Sequence, residues 1–364
     1  MRTRAVPLDY LSSLMTDAIP PMPIAIVGLN FGRFILEALA REPANRFFRL
    51  AAVCDTDSDK CTNFARTWGV KAFSSLDALL TDPEIPAIGL FTGPEGRADL
   101  LRKILMAGKD VMTTKPFERS PTAAQRILET ARAQGRIIHL NSPAPRVTGY
   151  LEKIHSWRED YALGRPIHCR GEVLASYREA ADGRWLDDPA ACPAAPIFRL
   201  GIYVLNDLIH LFGPVRDVQV QSSRLFTGRP TADTAQLGMT FCNGALGSIF
   251  STFCVDSGQY YANSLILHFE RGTIHRNLGP FAYGMAGACS RLRLITTDGK
   301  NNTITEDWEQ NEGAGDYQWE EFFRAVTTRD TSSMPIENTV HGLEVIAAMA
   351  RAEVSHRTEP VQTS

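Results

Sequence analysis

From residue 23 onward, short runs of apolar residues alternate with stretches whose apolar positions recur at helical spacing. The runs "PIAIVG" (23–28), "FRLAAVCD" (48–55), "PAIGLFT" (86–92), "DVMTT" (110–114) and "RIIHLN" (136–141) lack a polar alternation, which predicts strands buried on both faces. Between them "GRFILEALAREP", "SDKCTNFARTWG", "RADLLRKILMAG" and "SPTAAQRILETARAQG" predict helices. Ser58 and Ser120 stand as N-caps, Pro121 at a first helical position, and Gly69, Gly108 and Gly135 just past helix ends. The alternation predicts an α/β fold, with a parallel sheet covered by helices on both sides. We place this domain at 23–145.

After Arg146 the pattern changes. A helix near 147–163 precedes longer runs of alternating polarity: "PIHCRGEVLASY", "VRDVQVQSSRLFT", "DTAQLGMTFCN", "GALGSIFSTFCVD" and "YYANSLILHFE", broken by turn signals such as "CNG" and "ERG". These predict an antiparallel sheet with one packed face and one open face. Helices are expected near 199–212, 316–328 and 337–354. The second domain, 146–364, therefore reads as α+β, with the last helix expected to pack back on the first domain and the active site expected in the cleft between the two. Residues 1–22 read as a short extension or arm.

Composition narrows the function. Lys and Arg total 38 against 41 Asp and Glu, for a net charge of −3, and no basic block is present; nucleic acid is not expected as a direct ligand. The seven cysteines are scattered, without a C-x-x-C pair, so neither zinc nor a redox dithiol is expected and a reducing cytoplasm is. No window approaches the roughly 18 uninterrupted apolar residues of a membrane span. The first residues carry neither a continuous apolar core nor the pattern of a secretion signal.

Three motifs carry candidate chemistry. "IVGLNFGR" lies where the first strand passes into a helix, the position at which a glycine-rich turn admits a pyrophosphate. Gly28, Asn30, Phe31, Gly32 and Arg33 form this turn; Gly28 matches G-x-G-x-x-G, while Asn30 and Arg33 occupy the other two glycine positions. An ordinary tight turn is the competing account. Asp55 ends the second strand, where an acid takes ribose hydroxyls and repels a 2′-phosphate, favouring NAD over NADP; it is also a residue that begins turns. In "FRLGIYVLNDLIHLFG", Tyr203, Asn206, Asp207 and His210 fall on one helical stripe, opposite Val204, Leu205, Leu208 and Leu211. The stripe is either a solvated face or the wall of a cleft.

With these elements in order the chain resembles the glucose-fructose oxidoreductase and inositol dehydrogenase family, Gfo/Idh/MocA. "AGKDVMTTKP" keeps Gly108, Lys109, Val111, Lys115 and Pro116 of the family's Glu-Lys-Pro segment, with Thr114 in place of Glu. "LFTGPEGRADLLRKILMAGK" resembles the segment beginning T-P-x-x-x-H, with Thr92 and Pro94 kept and Arg97 where histidine is usual. "RLGIY" aligns with D-x-G-x-H/Y as Arg199, Gly201 and Tyr203, and Tyr203 with Asn206 resembles the tyrosine-containing branch.

The resemblance implies a Rossmann domain, a second domain with a large, mostly antiparallel open sheet, and hydride transfer between nicotinamide and a sugar-like, polyol or cyclic alcohol or carbonyl. It implies that Thr92, Pro94, Lys115 and Pro116 border the cofactor, and that Lys115, Arg199, Tyr203 and Asn206 meet the substrate. In this reading Tyr203 is the acid–base group, its pKa lowered by nearby cations, and Lys115 orients the reacting oxygen. Arg199 either assists or clamps an acidic group on the substrate. A homodimer or homotetramer is expected, with no metal. The competing class is an NAD-binding regulator or pseudoenzyme, favoured by loss of the acids at 114 and 199 and opposed by retention of Lys115 and Tyr203.

Overall fold

Six strands, β1 (Met22–Val27), β2 (Phe48–Cys54), β3 (Lys71–Phe73), β4 (Ala87–Leu90), β5 (Asp110–Thr113) and β6 (Ile138–Leu140), pair in parallel in the order β3-β2-β1-β4-β5-β6 in a computed structural model of the protein. The structure describes residues 20–256, 261–278, 289–300, 302–311 and 317–362, so most of the expected N-terminal arm lies outside the described residues. Every residue of β4, β5 and β6 is buried. Along β1 the side chains alternate between two cores, Ile24 and Ile26 entering one and Ala25 and Val27 the other. A sheet buried on both faces is what continuous apolar runs encode.

Helices Leu29–Leu39, Ser58–Trp68, Arg97–Met106 and Pro121–Ala133 connect these strands. Ser120 caps the last of them by accepting the Ala123 N–H at 3.2 Å, with Pro121 in the first turn. The helix at 58 is capped one residue earlier than expected: the Asp57 carboxylate accepts the Lys60 N–H at 3.0 Å, so Ser58 is already helical. Either side chain can cap, and Asp57 holds the extended backbone that the N-cap requires.

The second sheet has nine strands. They are β7 (Pro166–Ala175), β8 (Val215–Ser223), β9 (Thr234–Phe241), β10 (Leu246–Thr252), β11 (Tyr261–Phe269), β12 (Gly272–Arg276), β13 (Cys289–Thr297), β14 (Thr303–Asn311) and β15 (Glu359–Pro360). Their order is β14-β13-β12-β11-β7-β10-β9-β8-β15, and all neighbours are antiparallel except β7 and β10. Helix Ile202–Phe212 covers one face, with Val204, Leu205, Leu208 and Leu211 all buried as the periodicity predicts. Strands β12 to β14 go beyond the sequence reading. Their polar residues, including the cross-strand pairs Arg291–Glu309 and Arg293–Asp307, conceal the period-2 pattern.

The C-terminal segment returns to the first sheet. Phe322 stacks on Phe48 with ring centres 5.1 Å apart, and Tyr317, Trp319 and Phe323 join the same core. Met334, Ile336, Val340 and Leu343 complete the core on the opposite face. The last helix, Ile336–Ser355, then runs on into the core of the second sheet through Val345, Ile346, Ala348 and Met349. One continuous helix thus fixes the two sheets relative to each other.

Candidate active site

The turn after β1 is built by close approach. Gly28 has φ 87°, and a Cβ there would lie 3.0 Å from the carbonyl carbon and oxygen of Phe91 and the amide nitrogen of Thr92. Only glycine fits, and the crevice lies between β1 and β4, where the strand order reverses and open parallel sheets take their ligands. A Cβ on Gly32 would sit 2.8 Å from Ile26 Cγ2, so this second glycine lets the helix lie directly on β1. The Asp55 carboxylate closes the turn, accepting the Leu29 N–H at 2.7 Å and the Asp57 N–H at 3.0 Å. Asp55 thus starts its own turn and also reaches across to the glycine turn.

Asn30 accepts a hydrogen bond from Lys60 Nζ at 3.0 Å, and Lys60 stands 3.6 Å from Asp55. Arg33 lies over the exposed ring of Phe34, 4.7 Å from its centre. Phe31 is 43% exposed and packs beside Phe91. The cradle that a Cβ would fill, with an acid at the end of β2, suits a dinucleotide.

Arg97 assembles the next layer. Its guanidinium is 1% exposed and donates to the carbonyls of Thr114 (2.6 Å), Pro116 (2.5 Å), Phe117 (3.2 Å) and Thr92. The loops after β4 and β5 are thus stapled by one side chain, which ties Thr92 to the backbone on either side of Lys115. Burial lowers the Arg97 pKa to about 10, leaving it cationic at neutral pH. Lys109, by contrast, serves the scaffold, donating to the carbonyls of Asp82 and Ile85 at 2.6 Å each.

Lys115 leaves the C-terminal end of β5, followed by a cis bond to Pro116. Its Nζ donates to the carbonyl of Arg199 and sits 4.5 Å from the centre of the Tyr203 ring. Burial, with the cations Arg199 and Arg97 nearby, pulls its pKa down to about 7. Tyr203 starts the helix Ile202–Phe212 after a π-helical turn, Ile197–Gly201. The expectation of a lowered Tyr203 pKa is overturned: burial, then the neighbouring phenols, pushes it well above the ordinary value. The nearest cation faces the ring rather than the oxygen, and the Asn141 amide that donates to the phenol oxygen lowers the value by less than burial raises it.

Two further expectations are corrected. Arg199 is not a free cation, because its guanidinium pairs with Glu179 at 2.8 and 3.2 Å and packs over Phe253 and Tyr177. Glu179 also lies 3.8 Å from the buried Arg229. Asn206 is 4% exposed, donates to Ser142 Oγ at 2.9 Å and abuts Gly342 of the last helix, so it fastens elements together behind the cleft. Farther along the stripe, Asp207 pairs with the Tyr150 hydroxyl and His210 with His155.

Asn141 and Tyr317 escaped the sequence reading. Asn141 directly follows β6 and binds the Lys115 backbone N–H, the Thr114 hydroxyl and the Tyr203 hydroxyl. Tyr317 donates to Thr114 Oγ1 from the returning C-terminal segment. The available signal for Asn141 was its place at the C-terminal end of a parallel strand; for Tyr317 there was none within its neighbourhood in sequence. Among the described residues, no cluster of three His, Cys, Asp or Glu side chains is placed to hold a metal ion, and no helix is long and apolar enough to cross a membrane.

Comparison with known proteins matches residues 22–142 to the oxidoreductase family with an NAD-binding Rossmann fold, and residues 151–275 to the GFO/IDH/MocA C-terminal domain. The chain belongs to the Gfo/Idh/MocA oxidoreductase family. Among curated members of the family it is 26% identical to galactose 1-dehydrogenase of Pseudomonas fluorescens over 73% of this chain and 78% of that one. It is 22% identical to UDP-N-acetylglucosamine 3-dehydrogenase of Acidithiobacillus ferrooxidans over 63% and 66% of the two chains. The match spans 53% of the length of each of two uncharacterized oxidoreductases of Schizosaccharomyces pombe.

Solved structures share the fold. Levoglucosan dehydrogenase in complex with NADH and L-sorbose superposes with a TM-score of 0.75 at 16% identity, covering 95% of this chain and 100% of that one. Aldose-aldose oxidoreductase from Caulobacter crescentus, complexed with glycerol, gives 0.73 at 18% identity, covering 93% and 99%. Within the Gfo/Idh/MocA frame, the departures at 97, 114 and 199 have partners in this chain: the loop carbonyls, the Asn141–Tyr317 hydrogen bonds and Glu179 respectively.

Proposed function

We propose that the protein is an NAD-dependent oxidoreductase acting on a hydroxyl or carbonyl group of a neutral sugar-like or cyclic polyol substrate. The observation that carries this reading is the pairing of an amine whose pKa lies near 7 with a protonated phenol at the C-terminal edge of β5, beside the Gly28 cradle. Gly28, Gly32, Asp55, Thr92 and Pro94 would hold the dinucleotide, with Asp55 favouring NAD over NADP. Bound there, NAD+ would supply the acceptor for the hydride of the carbinol carbon.

The chain's own residues handle the proton. Neutral Lys115 Nζ accepts the hydroxyl proton in the oxidation direction and returns it in reduction; a pKa near ambient pH suits both. The Tyr203 hydroxyl stays protonated and donates to the same substrate oxygen. Arg199, already neutralised by Glu179, shapes the pocket wall, which favours a neutral substrate over the acidic one its charge suggested. Free cysteines support a reducing, cytoplasmic setting. The open face of the nine-stranded sheet supports a homodimer or homotetramer, which light scattering would test.

A screen of aldoses, anhydrosugars, polyols, cyclic diols and sugar acids with NAD and NADP tests the reading. The expected result is NAD-dependent turnover that Lys115→Ala lowers by at least about 10³-fold while NADH binding persists. Tight NADH binding with no turnover across the panel would instead favour an NAD-responsive regulator.

A further inference from the structure

We infer that Asn141 is a positioning residue that fixes the Tyr203 hydroxyl as a hydrogen-bond donor toward the substrate oxygen, at the end of a one-way chain running Tyr317, Thr114, Asn141, Tyr203. The inference rests on the assignment of Lys115 and Tyr203 to the reacting site. Its argument is one of donors and acceptors. A backbone N–H can only donate, and that of Lys115 lies 3.1 Å from Asn141 Oδ1. The amide orientation is therefore set: Oδ1 faces the backbone, and Nδ2 faces the Tyr203 hydroxyl at 3.1 Å.

An amide NH2 donates and does not accept, so the phenol oxygen must be the acceptor in that bond. Its own proton must point elsewhere. Among the described residues the Tyr203 hydroxyl makes no other hydrogen bond, which leaves the cleft as its direction. Upstream, the polarity is equally constrained. Thr114 Oγ1 lies 3.3 Å from the same Oδ1, so the threonine donates to it, and it accepts in turn from the Tyr317 hydroxyl at 3.1 Å.

Burial keeps this order. Thr113, Thr114, Asn141 and Tyr317 are all at most 8% exposed, so water does not compete for the bonds, and successive hydrogen bonds of one polarity strengthen each other. The chain also accounts for the hydroxyl at 114. An ionised carboxylate there would be an acceptor only; it would have nothing to donate to Oδ1 and would set two acceptors against each other. Thr114 is thus part of how this protein aims its tyrosine.

The test replaces the amide by its acceptor-only isostere. In Asn141→Asp, the phenol is expected to turn and donate to the new carboxylate, so the substrate oxygen loses its donor. Three readouts separate aiming from simple support: turnover of whichever panel sugar the wild type oxidises, NADH affinity, and the ring Cζ resonance of Tyr203 in protein labelled with [13Cζ]tyrosine. That resonance is assigned among the nine tyrosines by its loss in Tyr203→Phe.

The expected result is a kcat loss of about 10²-fold, NADH affinity within about twofold of wild type, and a downfield shift of the Tyr203 resonance. The double variant Asn141→Asp/Tyr203→Phe should fall no lower than Tyr203→Phe alone. Thr114→Val, a near-isosteric change that removes one link, should lower kcat by about fivefold and move the same resonance less; it carries the test if Asn141→Asp does not fold. A Tyr203 resonance unmoved in the folded variants, or Asn141→Asp and Tyr203→Phe losses that multiply, would overturn the inference. If the wild type turns over no sugar, the functional reading fails, and the resonance alone still decides whether Asn141 aims the phenol.

Discussion

The amine nitrogen of Lys115 sits 4.5 Å from the centre of the Tyr203 ring, over its face and not against its oxygen. A cation in that position interacts with the ring quadrupole and does little to stabilise a phenolate. Burial drives the two groups apart: Lys115 is pulled down to about 7 while Tyr203 is pushed well above its usual value. Neighbouring titratable groups driven apart in this way are suited to different tasks.

That division fixes a pH profile. Oxidation needs the neutral amine, so kcat/KM should rise tenfold per pH unit up to about 7 and then level off. Reduction needs the ammonium, so its rate should be level below about 7 and fall above it. Rate profiles in both directions, with the Lys115→Arg variant as control, check this. A flat oxidation profile between about pH 6 and 8 would remove Lys115 from the proton-transfer step.

The same shift bears on stability. A lysine with a folded-state pKa near 7 and an unfolded value near 10.4 leaves the unfolded chain holding the extra proton between those limits. Stability from this group therefore rises with pH through the window, and the full penalty applies below about 7. Lys115→Met keeps the volume without the charge. It should stabilise the protein by on the order of 1–2 kcal/mol near pH 6, and by less near pH 9.5, while abolishing turnover. Urea denaturation at the two pH values decides; an equal difference at both would contradict the linkage.

Arg97 supports a structural prediction. Arg97→Ala would leave the carbonyls of Thr92, Thr114, Pro116 and Phe117 without their common donor and should cost about 3–5 kcal/mol. Arg97→Lys keeps the charge but not the planar fork, and should cost about 1–2 kcal/mol. Denaturant midpoints, together with NADH affinity, measure both. If Arg97→Lys were as stable as wild type, the staple would need only a charge and not a fork.

Glu179 holds the Arg199 guanidinium at 2.8 and 3.2 Å, and its removal tests whether that guanidinium can meet a substrate. Glu179→Gln removes the counter-charge and leaves the guanidinium available to a ligand anion. The kcat/KM ratio of a sugar acid over its neutral sugar should then rise by about tenfold. Specificity constants for matched acid and neutral pairs provide the measurement. An unchanged ratio would place the Arg199 guanidinium outside the substrate's reach.

The first sheet was legible because its information is local. Five of its strands lie in apolar runs, whereas the short, largely exposed β3 does not and was not predicted; the helices at 58 and 121 carry their own side-chain caps, so Ser120, Pro121 and Gly135 mark a boundary without tertiary help. In the candidate site, Gly28 was legible because the close approach of Phe91 and Thr92 forces that residue type. The partners of Thr114, Arg97 and Arg199 lie outside their own sequence neighbourhoods: Asn141 and Tyr317 for the first, the Thr114 and Pro116 carbonyls for the second, Glu179 for the third. The direction of the Tyr203 shift was misread for the same reason. Spacing can place a cation near a phenol, but not on its face rather than its oxygen.

Two glycines of similar backbone separate the cradle from an ordinary turn. Gly28 and Gly69 both have positive φ, 87° and 65°, so either change to alanine carries the conformational cost of a left-handed residue, about 1 kcal/mol. At Gly69 a Cβ meets nothing within 4 Å, so Gly69→Ala should cost that much stability and leave NADH binding unchanged. At Gly28 the Cβ would press on the Phe91 carbonyl and the Thr92 amide at 3.0 Å, all of them backbone atoms that cannot rotate away. Gly28→Ala must push β1 and β4 apart where the pyrophosphate is expected. It should therefore weaken NADH binding by at least about 10²-fold, beyond the stability cost shared with Gly69→Ala. Fluorescence titration of NADH on both variants, each compared by thermal melting, provides the contrast. Equal NADH affinity in the two would mean that the dinucleotide does not lie across the Gly28 turn.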